Sequence, residues 1–496
     1  MGDLDLDAAD FGELVVERLL AHPGQEPTRH DRSIRWHDGT ITEVADAQVG
    51  TGVGLLAMPA IADAHDHGRG VSTLLMGAAD AALELWLPAL AAQPNGDCYA
   101  VNALALARLA RSGCSAITHC HVPHRYEAMV EEAGEVARAV REIGIRLGFV
   151  VPLRDRNRLV IGDNDAFLAR LPEQERIAVQ QRWLGPLPSP ERQVALIDEV
   201  ARHHATSQFD VQYGPVAPHW CSDHLLSLIA EASAQSQRRI HMHLLESPYH
   251  REWADAAYPH GLIRHLDALG ILSPRLSIAH GVWLRPAEIE LLAERGVTVV
   301  VNSSSNLRLR SGLAPMSQFH KIGVAVAIGL DGMGLDDDSD LLRELRLARL
   351  FHAGHGLEEG VSAAQILTSA LAIGPHVTGA HGRFGQVAPG FAADLLVLDL
   401  AALTDGAVPA ALDDTDLVLG RATRSHVKAL IVAGRMVVRD GRVTGIDEEA
   451  LAREVDASAR HSAAAWQTLV PTLRRFQDHI RAHYASGQHR RDSVMP

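Results

Sequence analysis

Cysteine is scarce in this chain, and its four residues, Cys98, Cys114, Cys120 and Cys221, form no C-x-x-C pair. A disulfide framework needs a dense set of cysteines, and a thiolate zinc site needs close pairs. The sequence therefore argues against both kinds of site. We expect the cysteines to be small buried side chains.

Long apolar runs and a surplus of basic residues are also missing. No run approaches the roughly 20 apolar residues of a membrane-spanning helix, and the formal net charge is -15. Nucleic acid and anionic lipid both require a basic face, so the composition favours a small soluble substrate. The N-terminal segment MGDLDLDAADFGE is acidic where a signal peptide is basic and then apolar, which predicts a cytoplasmic protein.

What the sequence does contain, between residues 58 and 386, is a regular alternation of short apolar runs with segments of helical periodicity. This alternation is typical of parallel β/α units. Candidate strands begin at Met58, Ser115, Ile145, Phe209, Arg239, Leu276, Val297 and Val324. Eight such units predict an α/β fold, a (β/α)8 TIM barrel over residues 58–386.

The flanks of this barrel are rich in strands and turns. The turns HDGT, VAGR and RDGR place glycine where a hairpin needs positive φ. We predict that residues 1–57 and 387–447 form one small, discontinuous β-sandwich domain. Residues 448–496 are predicted to be a polar C-terminal helical tail, frayed at its end, HRRDSVMP.

The most informative motif is DAHDH, which ends the first predicted barrel strand. Residues i and i+2 of a strand share a face, so His65 and His67 both point into the barrel at the rim where barrel enzymes hold their catalytic groups. One such pair is weak evidence for a metal, because the chain has 28 histidines and a second pair, His119 and His121, occurs in it.

Metal-competent residues also end three later strands: His243 the fifth, His280 the sixth and Asp331 the eighth. Any one of them is explained equally well as a core residue, but burying the whole set without a function is unfavourable. Open metal sites use His and carboxylate ligands and leave a position for water. His241 competes with His243 as a ligand, and His243 is favoured because it lies nearer the catalytic rim.

These motifs resemble the amidohydrolase superfamily, in particular the aminohydrolases of triazines, guanine, cytosine and S-adenosylhomocysteine. The similarity covers nearly the whole chain, through DAHDH, GPVAP, HLLES, AHG, NSSSNLRLRSGLAP and the DG at Asp331. Ser303 and Leu330 stand where relatives commonly carry proline and threonine. The resemblance implies a homodimer and a site with four metal ligands, His65, His67, His243 and Asp331, and with Glu246, His280 and Asp331 as catalytic groups.

Lysine is almost absent, with only Lys321 and Lys428 in the chain. Many relatives bridge two metals with a carboxylated lysine on the fourth strand, and neither lysine belongs to the predicted fourth strand, FDVQYGPV. We therefore predict one divalent metal per chain. The ligand types favour Zn²⁺, with Fe²⁺, Mn²⁺ and Co²⁺ as alternatives.

The reaction implied is cleavage of a C–N bond by a water whose pKa the metal lowers to about 7. Asp331 is predicted to take the proton of that water, His280 to orient it or to polarise the carbon under attack, and Glu246 to protonate a ring nitrogen. The leading hypothesis is deamination of an N-heterocycle or amidine. Alternatives are hydrolysis of an amide, carbamate, urea or aryl chloride on the same scaffold, and an inactive binding scaffold, which the complete ligand set disfavours.

Substrate contacts are expected in the loops that follow the barrel strands. Arg154, Arg156 and Arg158 cluster after the third strand and would suit an anionic substrate group. The alternative is a solvated loop whose arginines pair with Asp155 or Asp163.

Aromatic and amide side chains complete the predicted pocket. Trp86 follows the first strand, and His219 and Trp220 follow the fourth. They are predicted either to stack on a flat heterocycle or to pack beneath the loops. Asn302 is predicted to lie near the metal, where it orients a loop and contacts substrate.

Overall fold

The computed structural model describes residues 11–93, 96–405 and 412–491. In chain order its strands are β1 Phe11–Leu19, β2 Arg29–His37, β3 Thr40–Asp46, β4 Leu55–Pro59, β5 Ile61–Asp66, β6 Cys114–Cys120, β7 Arg146–Leu153, β8 Phe209–Pro215, β9 Ile240–Leu244, β10 Leu276–His280, β11 Thr298–Val301, β12 Ala325–Ile328, β13 Gly354–His355, β14 Glu358–Glu359, β15 Leu395–Asp399, β16 Val427–Val432, β17 Arg435–Arg439 and β18 Arg442–Val443.

Most of the α-helices lie between the strands β5 to β12. They are α1 Leu83–Ala91, α2 Cys98–Arg111, α3 Met129–Ile143, α4 Asn164–Ala169, α5 Glu173–Trp183, α6 Pro190–His204, α7 Asp223–Ser236, α8 Pro248–Ala257, α9 Leu262–Ala268, α10 Pro286–Glu294, α11 Ser303–Arg308, α12 Met316–Ile322, α13 Leu341–Phe351, α14 Ala363–Thr368, α15 Gly374–Val377, α16 Leu400–Thr404, α17 Asp414–Arg421, α18 Glu448–Ala485 and α19 Gln488–Arg491. None of the helices in the described ranges combines the length and apolar character needed to cross a membrane.

The eight predicted barrel strands are all present, as β5 to β12, and each pairs in parallel with the next. The α/β barrel predicted from the sequence is thus confirmed. Its first strand begins at Ile61 and not at Met58, because Met58 and Pro59 pair with β15 in another sheet. The apolar run that the sequence presents as one strand is therefore shared by two sheets.

The barrel closes without a ladder of hydrogen bonds between its first and last strands. In the described chain no strand pairing joins β5 to β12. Single hydrogen bonds cross this seam instead: Asp331 N donates to His65 O (2.8 Å), and Leu330 N donates to Asp63 Oδ1 (3.1 Å). The barrel is thus closed by contacts between β5 itself and the segment that follows β12.

The termini build a second sheet of eight strands, in the order β18-β17-β16-β15-β4-β1-β2-β3. Its two ends approach each other, since Trp36 Nε1 donates to Gly434 O (3.2 Å), and they enclose an apolar core that includes Leu14, Ile34 and Ile431. The discontinuous origin of this domain is as predicted. Its exact limits stay predictions, and residues 1–10 lie outside the described residues.

The three predicted hairpins of this domain are confirmed. In each turn the residue before glycine also has positive φ: Asp38 (46°), Ala433 (48°) and Asp440 (49°). Two consecutive residues with positive φ make type I′ turns, whose twist matches that of the flanking strands.

The C-terminal segment is helical, as predicted, in α18 and α19. The prediction of a frayed end is wrong for residues 489–491: His489 is buried, and its Nε2 lies 2.8 Å from Glu252 Oε2. Residues 492–496 lie outside the described part of the chain.

Candidate active site

Four ligand atoms converge at the C-terminal rim of the barrel. His67 Nε2 lies 3.2 Å from Asp331 Oδ1 and 3.4 Å from His243 Nε2, and His65 Nε2 lies 3.4 Å from the same Asp331 oxygen. The structure thus brings together all four predicted metal ligands, from β5, β9 and the segment after β12.

The local backbone conformation directs these side chains toward one another. His65 lies in β5 and His67 directly follows its last residue, and the spacing of two residues turns both side chains to the same face. Asp331 follows β12 with φ of 60°, and His280 ends β10 with φ of 75°. Non-glycine residues seldom adopt positive φ, and such conformations cluster at functional sites.

The inner atoms of the cluster fit a cation. His67 Nδ1 hydrogen-bonds to Cys120 O (3.0 Å) and His243 Nδ1 to Val216 O (2.8 Å), so each ring donates outward and turns the lone pair of its Nε2 inward. His65 Nε2 is buried without a hydrogen-bond partner. Three inward lone pairs and a carboxylate within a few ångströms repel one another unless a cation lies between them. The donor set is that of an open zinc site.

Neither lysine approaches this site, because Lys321 lies on α12 and Lys428 on β16, in the terminal sheet. The prediction of a single metal depends on the absence of a lysine from β8, and it stays a prediction.

His241 lies one layer deeper and orients His65. Ser277 Oγ donates to Ile240 O, so it accepts from His241 Nδ1 (2.8 Å). The Nε2 of His241 is then free to accept from His65 Nδ1, 2.7 Å away. This chain of hydrogen bonds leaves His65 Nε2 unprotonated and facing the cluster.

We expect His241→Ala to weaken metal binding about 10- to 100-fold, the usual effect of removing a partner of a ligand. Competition with a chromogenic chelator measures this. His241→Gln, whose side-chain oxygen still accepts a hydrogen bond, should restore most of the affinity. Equal affinity in wild type and in His241→Ala would remove His241 from any orienting role.

Asp331 is the acid of the cluster. Burial opposes its ionisation, but the imidazoles of His65 and His67 beside its Oδ1 outweigh burial and hold its pKa well below the ordinary value. Ser305 Oγ donates to its second oxygen, Oδ2 (2.5 Å). The carboxylate is thus ionised and held on both oxygens.

Glu246 and His280 lie beside the cluster, as the resemblance implies. Glu246 Oε2 is 3.6 Å from His280 Nε2, and His280 Nδ1 is 2.8 Å from Asn306 Oδ1. Burial raises the pKa of Glu246 to about 7, with the charge of His280 opposing the rise. A carboxyl with such a pKa can hold and release a proton near neutral pH.

A cavity of about 650 Å³ leads to these groups. Four of the predicted substrate contacts line it: Trp86, Arg154, His219 and Trp220. His219 is buried and packs against the tilted ring of His250 with centroids 4.2 Å apart. Burial holds its pKa well below the ordinary value. It is therefore a neutral ring in the cavity wall.

Two predicted contacts lie elsewhere. Asn302 is fully buried, with Nδ2 3.3 Å from His280 Nδ1, and is not among the residues that line the cavity. Arg156 also lies outside the lining, with Cζ 5.9 Å from the ring centroid of Trp253. Residue spacing placed both near the site without revealing which way their side chains point.

Arg154 and Arg158 line the cavity, and neither forms an ion pair with any described residue. The acidic partners considered from the sequence are engaged elsewhere, since Asp155 accepts from Ser222 Oγ (2.5 Å) and Asp163 caps α4. Burial and the nearby charge of Arg154 lower the pKa of Arg158. Two unpaired cations in one wall are the arrangement that an anion would neutralise.

Arg69 and Glu84 are among the polar cavity residues that the sequence analysis missed. Arg69 Nη1 donates to Asp331 O (2.6 Å), and its Cζ lies 5.1 Å from the Trp86 ring centroid. Glu84 accepts from Ser247 Oγ, while its Oε2 is buried without a partner. Their nearness to DAHDH and to Trp86 in the sequence was the available signal.

Comparison of the sequence with known proteins identifies its family. The model of the amidohydrolase family matches residues 56–437. The chain belongs to the amidohydrolase family. It is a hydrolase that acts on C–N bonds.

Among its amidohydrolase relatives is a 5'-deoxyadenosine deaminase of Methanothermobacter thermautotrophicus, 30% identical over 82% of this chain and 88% of that protein. A 5-methylthioadenosine/S-adenosylhomocysteine deaminase of Desulforudis audaxviator is 29% identical over 82% of this chain and 87% of its own length.

Solved structures agree with the amidohydrolase fold. An adenosine deaminase from Xanthomonas campestris with bound zinc superposes with a TM-score of 0.74 at 23% identity, over 92% of this chain and 98% of that one. A triazine hydrolase from Arthrobacter aurescens gives 0.75 at 20% identity, over 91% and 99%. At these identities the likeness establishes the fold alone.

Proposed function

We propose that this amidohydrolase deaminates an aminated N-heterocycle of the adenine type, borne by a molecule whose other end is anionic. The observation that carries the proposal is Glu246, a buried carboxyl with a pKa of about 7 beside the metal-ligand cluster. Deamination of a ring carbon needs a proton on the ring nitrogen, and this group can supply it. The named activities of the relatives, deaminases of adenine nucleosides, support the same class.

In the proposed mechanism, Glu246 protonates the ring nitrogen next to the carbon under attack. Asp331, ionised and held by Ser305, takes a proton from the attacking water. His280, whose Nδ1 donates to Asn306 Oδ1, orients the same water through its Nε2. When the tetrahedral carbon collapses, the C–N bond breaks and the proton held by Asp331 passes to the departing nitrogen, which leaves as ammonia. The new hydroxyl group gives its proton to Glu246 as it becomes a carbonyl, so both residues return to their starting states.

His65, His67, His243 and Asp331 would hold one divalent metal, and we propose zinc. When bound, such a metal lowers the pKa of water toward neutrality and polarises the electrophile. The support for zinc is the donor set of three imidazoles and one carboxylate. Iron, manganese and cobalt accept the same ligands and are distinguished by elemental analysis.

In the wall of the same cavity, Arg154 and Arg158 would bind the anionic group of the substrate, and Trp86 would contact the heterocycle. We expect Arg158→Gln to raise KM about 10- to 100-fold for a substrate with a carboxylate, the effect of losing a hydrogen bond to a charged group. KM for S-adenosylhomocysteine against adenosine measures this.

The matched control is Arg156→Gln, the same change in the same loop but outside the cavity lining. An Arg158→Gln variant that raises KM equally for the neutral nucleoside would contradict the anion-binding role.

We also propose that the enzyme works in the cytoplasm as a homodimer. The four cysteines are unpaired, which suits a reducing compartment. The dimer is supported by the resemblance, and sedimentation of the purified protein tests it.

The deciding experiment combines elemental analysis with ammonia release from 5'-deoxyadenosine, 5-methylthioadenosine, S-adenosylhomocysteine, adenosine and guanine. We expect about one metal per chain and ammonia from at least one adenine nucleoside. A metal-loaded protein that releases no ammonia but cleaves an amide, a carbamate or an aryl chloride would replace deamination by that reaction. A protein without metal would overturn the mechanism.

A further inference from the structure

The C-terminal helix α18 forms part of the cavity wall. Its residues Val455, Ser458 and Ala459 line the cavity from the first half of the helix, and Phe476 and Tyr484 line it from the second half. With 38 residues the helix is about 57 Å long at 1.5 Å per residue. It therefore reaches loops that follow several different barrel strands.

The contacts of α18 with these loops are specific hydrogen bonds as well as apolar packing. Ile161 N donates to Tyr484 Oη (3.1 Å), and His483 Nε2 hydrogen-bonds to Ile161 O (2.9 Å). Gln477 Nε2 donates to Leu85 O (2.7 Å). Two backbone segments of the cavity wall are thus held from the C-terminal helix.

Each of these segments carries a side chain of the proposed substrate site. Ile161 lies three residues after Arg158, in the loop that follows β7, and Leu85 immediately precedes Trp86 on α1. The Ile161 backbone is buried, so its amide has no access to water if the Tyr484 hydroxyl is removed.

Helix α18 is itself held in place by contacts with other helices. Its residues Phe476 and Tyr484 are buried, and Phe476 packs on Trp183 with ring centroids 4.8 Å apart. Glu175 of α5 accepts from His479 Nε2 (2.7 Å). Beyond the helix end, His489 hydrogen-bonds to Glu252 of α8.

We propose that Tyr484 is a positioning residue that sets the location of the Arg158 loop and thereby the selectivity for substrates with an anionic end. Its ring forms cavity wall, and its hydroxyl holds the loop. The kinetic part of this inference rests on the proposed function, whereas the positional part does not.

The test is Tyr484→Phe, which keeps the ring and removes the acceptor of the Ile161 amide. Hydrogen–deuterium exchange of the full-length, metal-loaded protein should become about 2- to 10-fold faster in residues 154–163, the range for one lost hydrogen bond. KM for S-adenosylhomocysteine should rise by a similar factor, with kcat and KM for adenosine unchanged. Metal content should stay at the wild-type value.

Two further variants distinguish a specific effect on the Arg158 loop from a general increase in the mobility of the cavity wall. Gln477→Met removes the donor to Leu85 O and should speed exchange in residues 83–91 but not in residues 154–163. Tyr213→Phe removes a hydroxyl that lies 3.4 Å from Ser236 Oγ, on a residue that is not part of the cavity lining, and should change neither segment.

Unchanged exchange of residues 154–163 in Tyr484→Phe would overturn the inference, and so would equal acceleration of both segments by both variants. If no substrate is deaminated by the wild type, the proposed function fails while the exchange data still decide the role of Tyr484. If exchange accelerates but KM for the two substrates rises equally, Tyr484 holds the loop without setting selectivity, and the proposal is wrong in that part.

Discussion

Glu246→Gln is expected to lower kcat by about 10²- to 10⁴-fold, the usual contribution of a general acid. The amide has nearly the same shape as the carboxyl, so the contact with Ser311 Oγ, 3.4 Å from Oε1, can be kept while the transferable proton is lost. Because the pKa of Glu246 is raised to about 7, the acid form is lost as pH rises through that value. In the wild type kcat should therefore fall on the alkaline side of about pH 7, and this limb should be missing from the Gln variant.

The measurement is a kcat–pH profile of both proteins, with metal content recorded for each. Glu290→Gln on the outer helix α10 is the matched control and should behave as wild type. A Glu246→Gln enzyme with nearly full kcat and an unchanged alkaline limb would assign the ring-nitrogen proton to another group.

Asp331→Asn is expected to lower kcat/KM by at least the roughly 10²- to 10⁴-fold that a general base contributes. The amide cannot accept the proton of the attacking water, and it brings no negative charge to the three imidazoles. The backbone N–H of residue 331 still donates to His65 O, so the barrel seam should remain closed. Metal affinity should fall together with activity.

Steady-state kinetics, elemental analysis and thermal unfolding separate these effects. Asp267→Asn, which removes a carboxylate that pairs with Arg295 on the outer surface, is the control. If Asp331→Asn with full metal occupancy kept its kcat/KM within about tenfold, another group would have to be the proton acceptor.

The sequence alone predicts the convergence of these histidines and the aspartate, because the rules that it uses are local. His65 and His67 share a strand face by their spacing, and Asp331 lies just past the end of an apolar strand. Parallel strands of a barrel end at the same rim, so separate motifs can be placed together without knowledge of the loops. The hairpin glycines are predictable for the same reason, since each turn is decided by a few neighbouring residues.

The residues that form the cavity wall cannot be predicted by such local rules. Tyr484 and Ile161 are in contact although more than 300 residues separate them in the sequence. No pattern in either segment predicts this contact. Arg156 and Arg158 have the same spacing and chemistry, yet only Arg158 lines the cavity. Side-chain direction in a loop depends on what packs beneath it, here on the contact of Arg156 with Trp253.

The seam between β5 and β12, which has no ladder of hydrogen bonds, links the fold of this enzyme to its chemistry. His65 and His67 stand on one side of the seam and Asp331 on the other, so a bound cation would bridge the two ends of the barrel segment of the chain. Whatever binds the closed barrel and not the unfolded chain adds to its stability. Loss of the ligand residues would therefore lower the stability of the fold and make the protein more susceptible to unfolding and proteolysis. Selection for stability would thus help to preserve the same residues that are proposed for catalysis.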